Sequence, residues 1–157
     1  IPEITWKNTL PDGNIIVSME ISKEGLIIWS KGSEWVLLNL ETGEKLDQGQ
    51  IQFDHILEKT FTYKENKLLC SPDGTLLWVE DFRNPKNLIE IKEKGPIHDA
   101  KWDSENESWR ICIWRKDLIW SRNNLNKETR KEIGKSIFKL NNSWQVLDNS
   151  GFISKHC

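Results

Sequence analysis

The chain has 157 residues, 37% hydrophobic and 29% charged, a balance that predicts a single folded domain and excludes a chain disordered as a whole. Lys and Arg number 22 against 24 Asp and Glu, for a net charge of −2, so we expect no nucleic-acid partner. No apolar run approaches the ~18 residues of a membrane span, so none is predicted.

Short β-favouring runs separated by turn residues occur along most of the chain. Asp73-Gly74 is a favoured two-residue hairpin turn, so "LLCSPDGTLLWVE" (68–80) predicts a hairpin. The predicted strands are Ile15–Ile21, Gly25–Trp29, Glu34–Leu40, Lys67–Cys70, Thr75–Glu80, Leu88–Lys92, Asp99–Trp102, Ser108–Trp114, Leu118–Ser121, Ile137–Leu140, Ser143–Leu147 and Phe152–Lys155.

Two stretches give no clear signal. Leu125, Thr129, Ile133 and Ile137 would lie on one stripe of a helix over 125–138, but Gly134 interrupts it. Two strands joined by a charged loop are the alternative there, and 54–63 is equally ambiguous. We predict a mainly all-β chain.

The hairpins recur with a regular spacing. Their predicted centres lie near Gly32, Gly74, Asp117 and Ser150, which are 42, 43 and 33 residues apart. A period of ~40 residues with about four short strands is typical of a β-propeller blade. We therefore predict a β-propeller, or part of one, with about four blade-like repeats. A β-trefoil is the alternative, because three units of ~40 to 50 residues also fit this length.

The repeats resemble those of known propeller families. "IIWSKGSEWVLLNLETGEKL" (27–46) is similar to WD40-like and quinoprotein-like repeats, and "IHDAKWD" (97–103) followed by "ICIWRKDLIWSRN" (111–123) resembles a hemopexin-type repeat. The chain has no Gly-His start, and its Trp102-Asp103 lies ahead of a hairpin rather than at a blade end. The resemblance therefore implies architecture and no functional residue.

We expect residues 1–157 to form one all-β repeat domain, either complete or a fragment of a longer chain. A small closed propeller and half of a larger one both fit four units. In the closed form, "ITWKN" (4–8) would supply the outer strand that the last repeat lacks.

Tryptophan is the main aromatic residue, with nine copies. Trp29 and Trp35 are six positions apart, as are Trp114 and Trp120, and both pairs flank a predicted turn. Because the tryptophan pairs recur at matching positions of the repeats, we expect them to pack between blades rather than to form a ligand-binding surface.

The cysteines and histidines show no metal-site spacing. Cys70 and Cys112 lie in apolar runs and are expected to be buried and free, which favours a reducing, cytoplasmic location, with secretion as the alternative. The sequence predicts no metal, no cofactor and no catalytic residue.

We predict a non-catalytic domain that binds a protein partner through its loops. Trp102 and Trp109 are expected to lie exposed in a loop-rich segment. Together with Arg110 and Arg115 they are the predicted binding residues, because Trp and Arg are enriched at interface hot spots. A carbohydrate-binding module that uses exposed tryptophans is the alternative function.

Overall fold

The computed structural model describes residues 3, 5–7 and 15–156, and every regular element within them is a β-strand. The strands are β1 (Ile16–Ile21), β2 (Leu26–Ser30), β3 (Glu34–Leu38), β4 (Lys45–Gln50), β5 (Lys59–Tyr63), β6 (Asn66–Cys70), β7 (Thr75–Val79), β8 (Ile89–Lys92), β9 (Ile97–Asp103), β10 (Ser108–Ile113), β11 (Lys116–Ser121), β12 (Asn124–Thr129), β13 (Gly134–Leu140), β14 (Ser143–Asp148) and β15 (Ile153–Lys155). Over this part of the chain, no helix long and apolar enough to cross a bilayer is found.

The strands form four antiparallel sheets, and each sheet contains only strands that are consecutive in the chain. Blade 1 is β1–β4, blade 2 is β5–β8, blade 3 is β9–β12, and blade 4 is the three-stranded β13–β15. The prediction of an all-β chain with about four blade-like repeats is confirmed. The β-trefoil alternative is wrong, because every repeat forms a separate meander sheet.

The helix considered over 125–138 is also wrong, and the two-strand alternative is confirmed. β12 pairs with β11 along its whole length, with Leu125 opposite Trp120. Gly134 begins β13 so close to blade 3 that an added Cβ would lie 2.9 Å from the Cys112 sulfur. The ambiguous stretch 54–63 provides β5.

Tryptophans fill the spaces between blades, as predicted. Trp29 and Trp35 form a cross-strand pair in blade 1, and the ring of Phe82 from blade 2 lies 4.8 Å from that of Trp35. Between blades 2 and 3, the buried rings of Trp78 and Trp120 meet edge to face at 5.4 Å. Buried aromatic rings of this size contribute the largest apolar areas in a core.

The third hairpin differs from its prediction in one respect. Trp114 and Arg115 form its turn, whereas Asp117 lies inside β11 opposite Cys112. The partner of Trp120 is therefore Trp109, and Trp114 is exposed. The equal spacing of Trp29–Trp35 and Trp114–Trp120 does not reflect equivalent positions.

The N-terminal segment contacts blade 1. Thr5–Lys7 are not in a strand, and the Trp6 indole N–H donates to the Leu40 carbonyl at 2.7 Å. The Trp6 ring covers Gly43, where an added Cβ would meet it at 2.4 Å. Ile4 and Asn8, the ends of the predicted closing strand, lie outside the described residues. Closure of the ring by this segment stays a prediction.

Trp109→Ala should lower the free energy of unfolding by about 3–5 kcal/mol, because it empties a ring-sized space between two blades. The Trp109 side chain is 1% exposed, whereas Trp114 is 45% exposed. Trp114→Ala is the matched control and should change stability by less than about 0.5 kcal/mol. Urea unfolding measures both; equal losses would contradict this packing.

Candidate functional site

The first strands of the blades lie side by side at the centre of the array. β5 contacts β9, and β9 contacts β13. A cavity of about 540 Å³ opens where these strands meet. Its lining combines aromatic, hydroxyl and cationic side chains: Thr60, Phe61, Thr62, Tyr63, Ala100, Lys101, Trp102, Phe138, Lys139 and Trp144.

One wall of the cavity is formed by two stacked aromatic rings. Tyr63 and Trp102 stack with ring centroids 5.5 Å apart and planes inclined by 17°. Trp78 and Trp109 meet the Trp102 ring edge to face at 5.6 and 5.4 Å. Because these neighbours fix the ring of Trp102, the wall is formed before any ligand arrives.

Two exposed lysines lie in the lining. Lys101 Nζ is 3.8 Å from Asp99, and Lys139 Nζ is 3.6 Å from Glu105. Both separations exceed hydrogen-bond length, so an anionic ligand could displace either contact at small cost. Lys139 also lies 5.8 Å from the ring centre of Trp144. The cavity therefore offers aromatic faces beside positive charge.

The predicted binding residues are placed differently from one another. Trp102 is half-buried and lines the cavity, whereas the expected exposure of Trp109 is wrong, because the ring is covered between blades 2 and 3. Arg110 is half-buried, pairs with Asp103 at 3.1 Å, and lies 5.1 Å from the Trp144 ring centre. Arg115 is exposed in the hairpin turn beyond the far end of β10. Of the four residues, the structure thus places only Trp102 in the cavity lining, with Trp109 and Arg110 in contact with lining rings and Arg115 in the hairpin turn.

The junction of blades 3 and 4 is polar. Its buried apolar cluster is small, comprising Cys112, Ile137 and Val146. Beside it, the Arg130 guanidinium binds Asp117, with Nε 3.0 Å from both carboxylate oxygens and Nη2 2.8 Å from Oδ2. Arg130 Nη1 also donates to the Ser154 hydroxyl at 2.8 Å, which attaches β15 to blade 3.

His156 completes this junction, and its tautomer follows from its neighbours. Arg110 Nη1 lies 3.1 Å from His156 Nδ1, and because arginine only donates, Nδ1 must accept. Nε2 therefore carries the proton and faces Asp117 Oδ1 at 3.6 Å. Burial first, and then the Arg110 charge, hold the pKa of His156 below its usual value against the opposing effect of Asp117.

Cys112, Asp117 and His156 have possible ligand atoms within 4.8 Å of one another, a cluster that the sequence did not predict. The tautomer of His156 leaves no free nitrogen lone pair for a metal ion, and Arg130 already binds both Asp117 oxygens. Burial raises the pKa of the Cys112 thiol, which keeps it protonated at neutral pH. The arrangement is that of a structural ion-pair network.

Cys70 and Cys112 are buried and free, as predicted. A second cavity, of about 590 Å³, lies between blades 1 and 2 and contains the buried Lys67. Lys67 Nζ lies 2.5 Å from Glu20 and 4.7 Å from the ring centre of Phe82. Since its buried cation is already paired, this cavity is a weaker candidate than the central one.

Four side-by-side meander sheets, with their first strands at the centre, define the fold as a β-propeller array. The WD40 beta propeller domain of Doa1 matches it with a TM-score of 0.66 at 16% identity, over 88% of this chain and 49% of that one. For the WD40 domain of Neurospora crassa Pan2 the TM-score is 0.65 at 11% identity, over 93% and 48%. The computationally designed Ika4 protein matches with a TM-score of 0.67 at 11% identity, over 90% of both chains.

The chain thus spans about half the length of the two WD40 chains. At sequence identities this low, the structural similarity shows the fold alone. No protein-family model and no curated protein sequence matches it. The resemblance inferred from the hairpins, to propeller repeats without a full family signature, is confirmed at the level of architecture.

The free energy of unfolding should fall as the pH drops from about 6.5. The pKa of His156 lies below its usual 6.5 in the folded state, so the unfolded chain binds the proton first and is favoured as pH decreases. Burial lowers the pKa of His98 in the same direction. His156→Gln should therefore flatten, but not abolish, the dependence between pH 6.5 and 5. Urea unfolding across this range measures it; an unchanged slope would contradict the assignment.

Proposed function

We propose that this domain is a non-catalytic protein-interaction scaffold whose central cavity binds a peptide segment carrying an acidic group beside an aromatic or apolar side chain. The observation that carries the proposal is the pairing of the fixed Tyr63–Trp102 wall with Lys101 and Lys139 in one cavity. Aromatic rings supply contact area at low entropic cost, and the lysines select for negative charge. The structural similarity to WD40 propeller domains supports the proposal of a scaffold role.

The surroundings of Cys112 argue against its use as a catalytic nucleophile. Nucleophilic use of Cys112 needs a neighbouring base with a free lone pair. His156 lacks one, since Nδ1 accepts from Arg110 and Nε2 is protonated. The thiol is also fully buried.

The carbohydrate-binding alternative rests on the same rings. Trp102 and Trp144 are both half-buried and both line the cavity, and sugars stack on such faces. The two lysines favour the peptide, because a charged ammonium group attracts a carboxylate more strongly than it attracts a neutral sugar hydroxyl.

Selection from a random peptide library displayed on phage tests the proposal directly. We expect enriched peptides to combine Asp or Glu with an aromatic or large apolar residue. Trp102→Ala and Lys139→Glu should each weaken the affinity of such a peptide at least ~10-fold, measured by fluorescence anisotropy. Lys86→Glu, the same charge change at an exposed lysine of blade 2, is the matched control and should leave affinity unchanged.

Affinity for the same peptides also tests Trp109, Arg110 and Arg115, the other predicted binding residues. Trp109→Phe and Arg110→Lys should reduce affinity less than Trp102→Ala, since these side chains act by supporting the lining rings. Arg115→Ala should have no effect; a loss there would move the site to the hairpin turn. Glycan-array binding that requires Trp102, without any enriched peptide, would replace the proposal with the carbohydrate alternative.

A further inference from the structure

The second cavity, between blades 1 and 2, lies directly across strand β5 from the central cavity. Thr62 of β5 lines both of them. The next residue, Tyr63, lines the central cavity, whereas Lys64 lines the second cavity. Lys64 Nζ also lies 5.3 Å from the centre of the Tyr63 ring. The two cavities are therefore neighbours, and at Thr62 the width of one strand separates them.

The second cavity has an apolar lining that comes from both blades. Ile27 and Leu37 of blade 1 and Phe82 of blade 2 belong to one buried cluster and line the cavity. Ile21, at the end of β1, adds an apolar side chain that is 73% exposed. The volume of about 590 Å³ is within the range of ligand pockets, about 300 to 1,000 Å³. It is large enough for an apolar side chain of a partner.

The polar groups inside the second cavity bind one another. Lys67 Nζ lies 2.5 Å from Glu20 Oε1 and 3.2 Å from Thr62 Oγ1, with the ring centre of Phe82 4.7 Å away. The Thr62 hydroxyl donates to the other oxygen of Glu20. A polar ligand would have to break this network, whereas an apolar side chain can enter and leave it intact. The cavity therefore selects an apolar group.

The charges around the second cavity favour an acidic peptide over a basic one. Arg83 is compensated, because it binds Glu24 and lies with Nη2 2.7 Å from Asp47 Oδ2. In the described part of the chain, the lining charges outside ion pairs are Lys23, Lys64 and Glu65. They leave one positive charge in excess, and the adjoining central cavity adds Lys101 and Lys139. The two cavities thus have the same electrostatic preference.

We propose that the second cavity binds a large apolar side chain of the same acidic peptide that occupies the central cavity, so that the partner crosses β5 with one anchor on each side. This inference rests on the proposed function, because its ligand is the peptide of the central cavity. Two linked anchors bind more tightly than either one alone, since the second anchor binds at the high effective concentration that the first one provides.

The distance across β5 sets the spacing of the two anchors along the peptide. Packed sheets lie about 10 Å apart, and an extended chain advances about 3.3 Å per residue. We therefore expect the selected peptides to carry a Leu, Ile, Met or Phe about three positions from the residues that occupy the central cavity.

Methyl NMR of the wild-type chain, labelled in its Ala, Ile and Leu methyl groups, tests the inference without altering the fold. The probes are the tightest phage-selected peptide and the same peptide with its second apolar anchor replaced by Ala. Both peptides should shift the Ala100 signal in the central cavity. The selected peptide should also shift Ile21 and Ile27, whereas the Ala peptide should leave both in place. Ile56, which lines neither cavity, should not move with either peptide.

A pair of variants measures the contribution of the second anchor to affinity. Ile21→Ser should weaken binding of the selected peptide at least ~5-fold, because it removes apolar contact area, and should leave binding of the Ala peptide unchanged. Ile56→Ser is the matched control, since Ile56 is 54% exposed, and it should change neither affinity. Trp102→Ala should weaken both peptides. Fluorescence anisotropy measures the affinities, and circular dichroism checks that each variant is folded.

The outcomes separate this inference from the proposed function. Peptides that shift Ala100 but leave Ile21 and Ile27 unmoved would overturn the inference while the proposed function stands. Equal affinities of the selected and Ala peptides for the wild-type chain would do the same. A selection that enriches no acidic peptide would overturn the proposed function, and the inference with it.

Discussion

Packing of side chains between the faces of adjacent blades is the interaction on which the rest of the structure depends. Sheet hydrogen bonds connect strands only within a blade, so they cannot fix one blade against the next. Buried rings hold neighbouring blades together instead, with Trp29 and Trp35 between blades 1 and 2, and Trp78, Trp109 and Trp120 between blades 2 and 3. The central cavity takes its shape from this packing, since the neighbours that position Trp102 belong to it.

Much of the fold could be predicted from the sequence because the hairpin signal is local. Apolar inner strands with Gly-containing turns at Gly32 and Gly74 identify the blades and their period. Strand β4 is missing from the predicted strands, and β12 falls in a stretch that the sequence leaves ambiguous. The residues of both strands are largely exposed and show no alternation of apolar and polar side chains. Gly134 suggests a break in a helix, whereas its physical role is the close approach of β13 to Cys112.

The candidate site could be predicted only in part, for a physical reason. Trp102 is a predicted binding residue, but its partners in the cavity come from other blades, and no sequence spacing links Tyr63 to Lys139. The exposure expected for Trp109 is wrong, because a tryptophan beside a polar loop gives no sign of which strand face it occupies. The network around Asp117 is hidden for the same reason, since the hairpin pattern places Asp117 in the turn.

The change from apolar to ionic contact along the array has a consequence for how the domain opens. Blades 1 to 3 share large buried clusters, whereas blade 4 is joined through Cys112, Ile137, Val146 and the Arg130–Asp117 pair. Cooperative units with little buried apolar surface unfold at lower free energy than the rest of a protein. We therefore expect blade 4 to open as a separate foldon, so that its amide protons exchange with solvent by sub-global opening and those in the inner strands of the first three blades exchange only on complete unfolding.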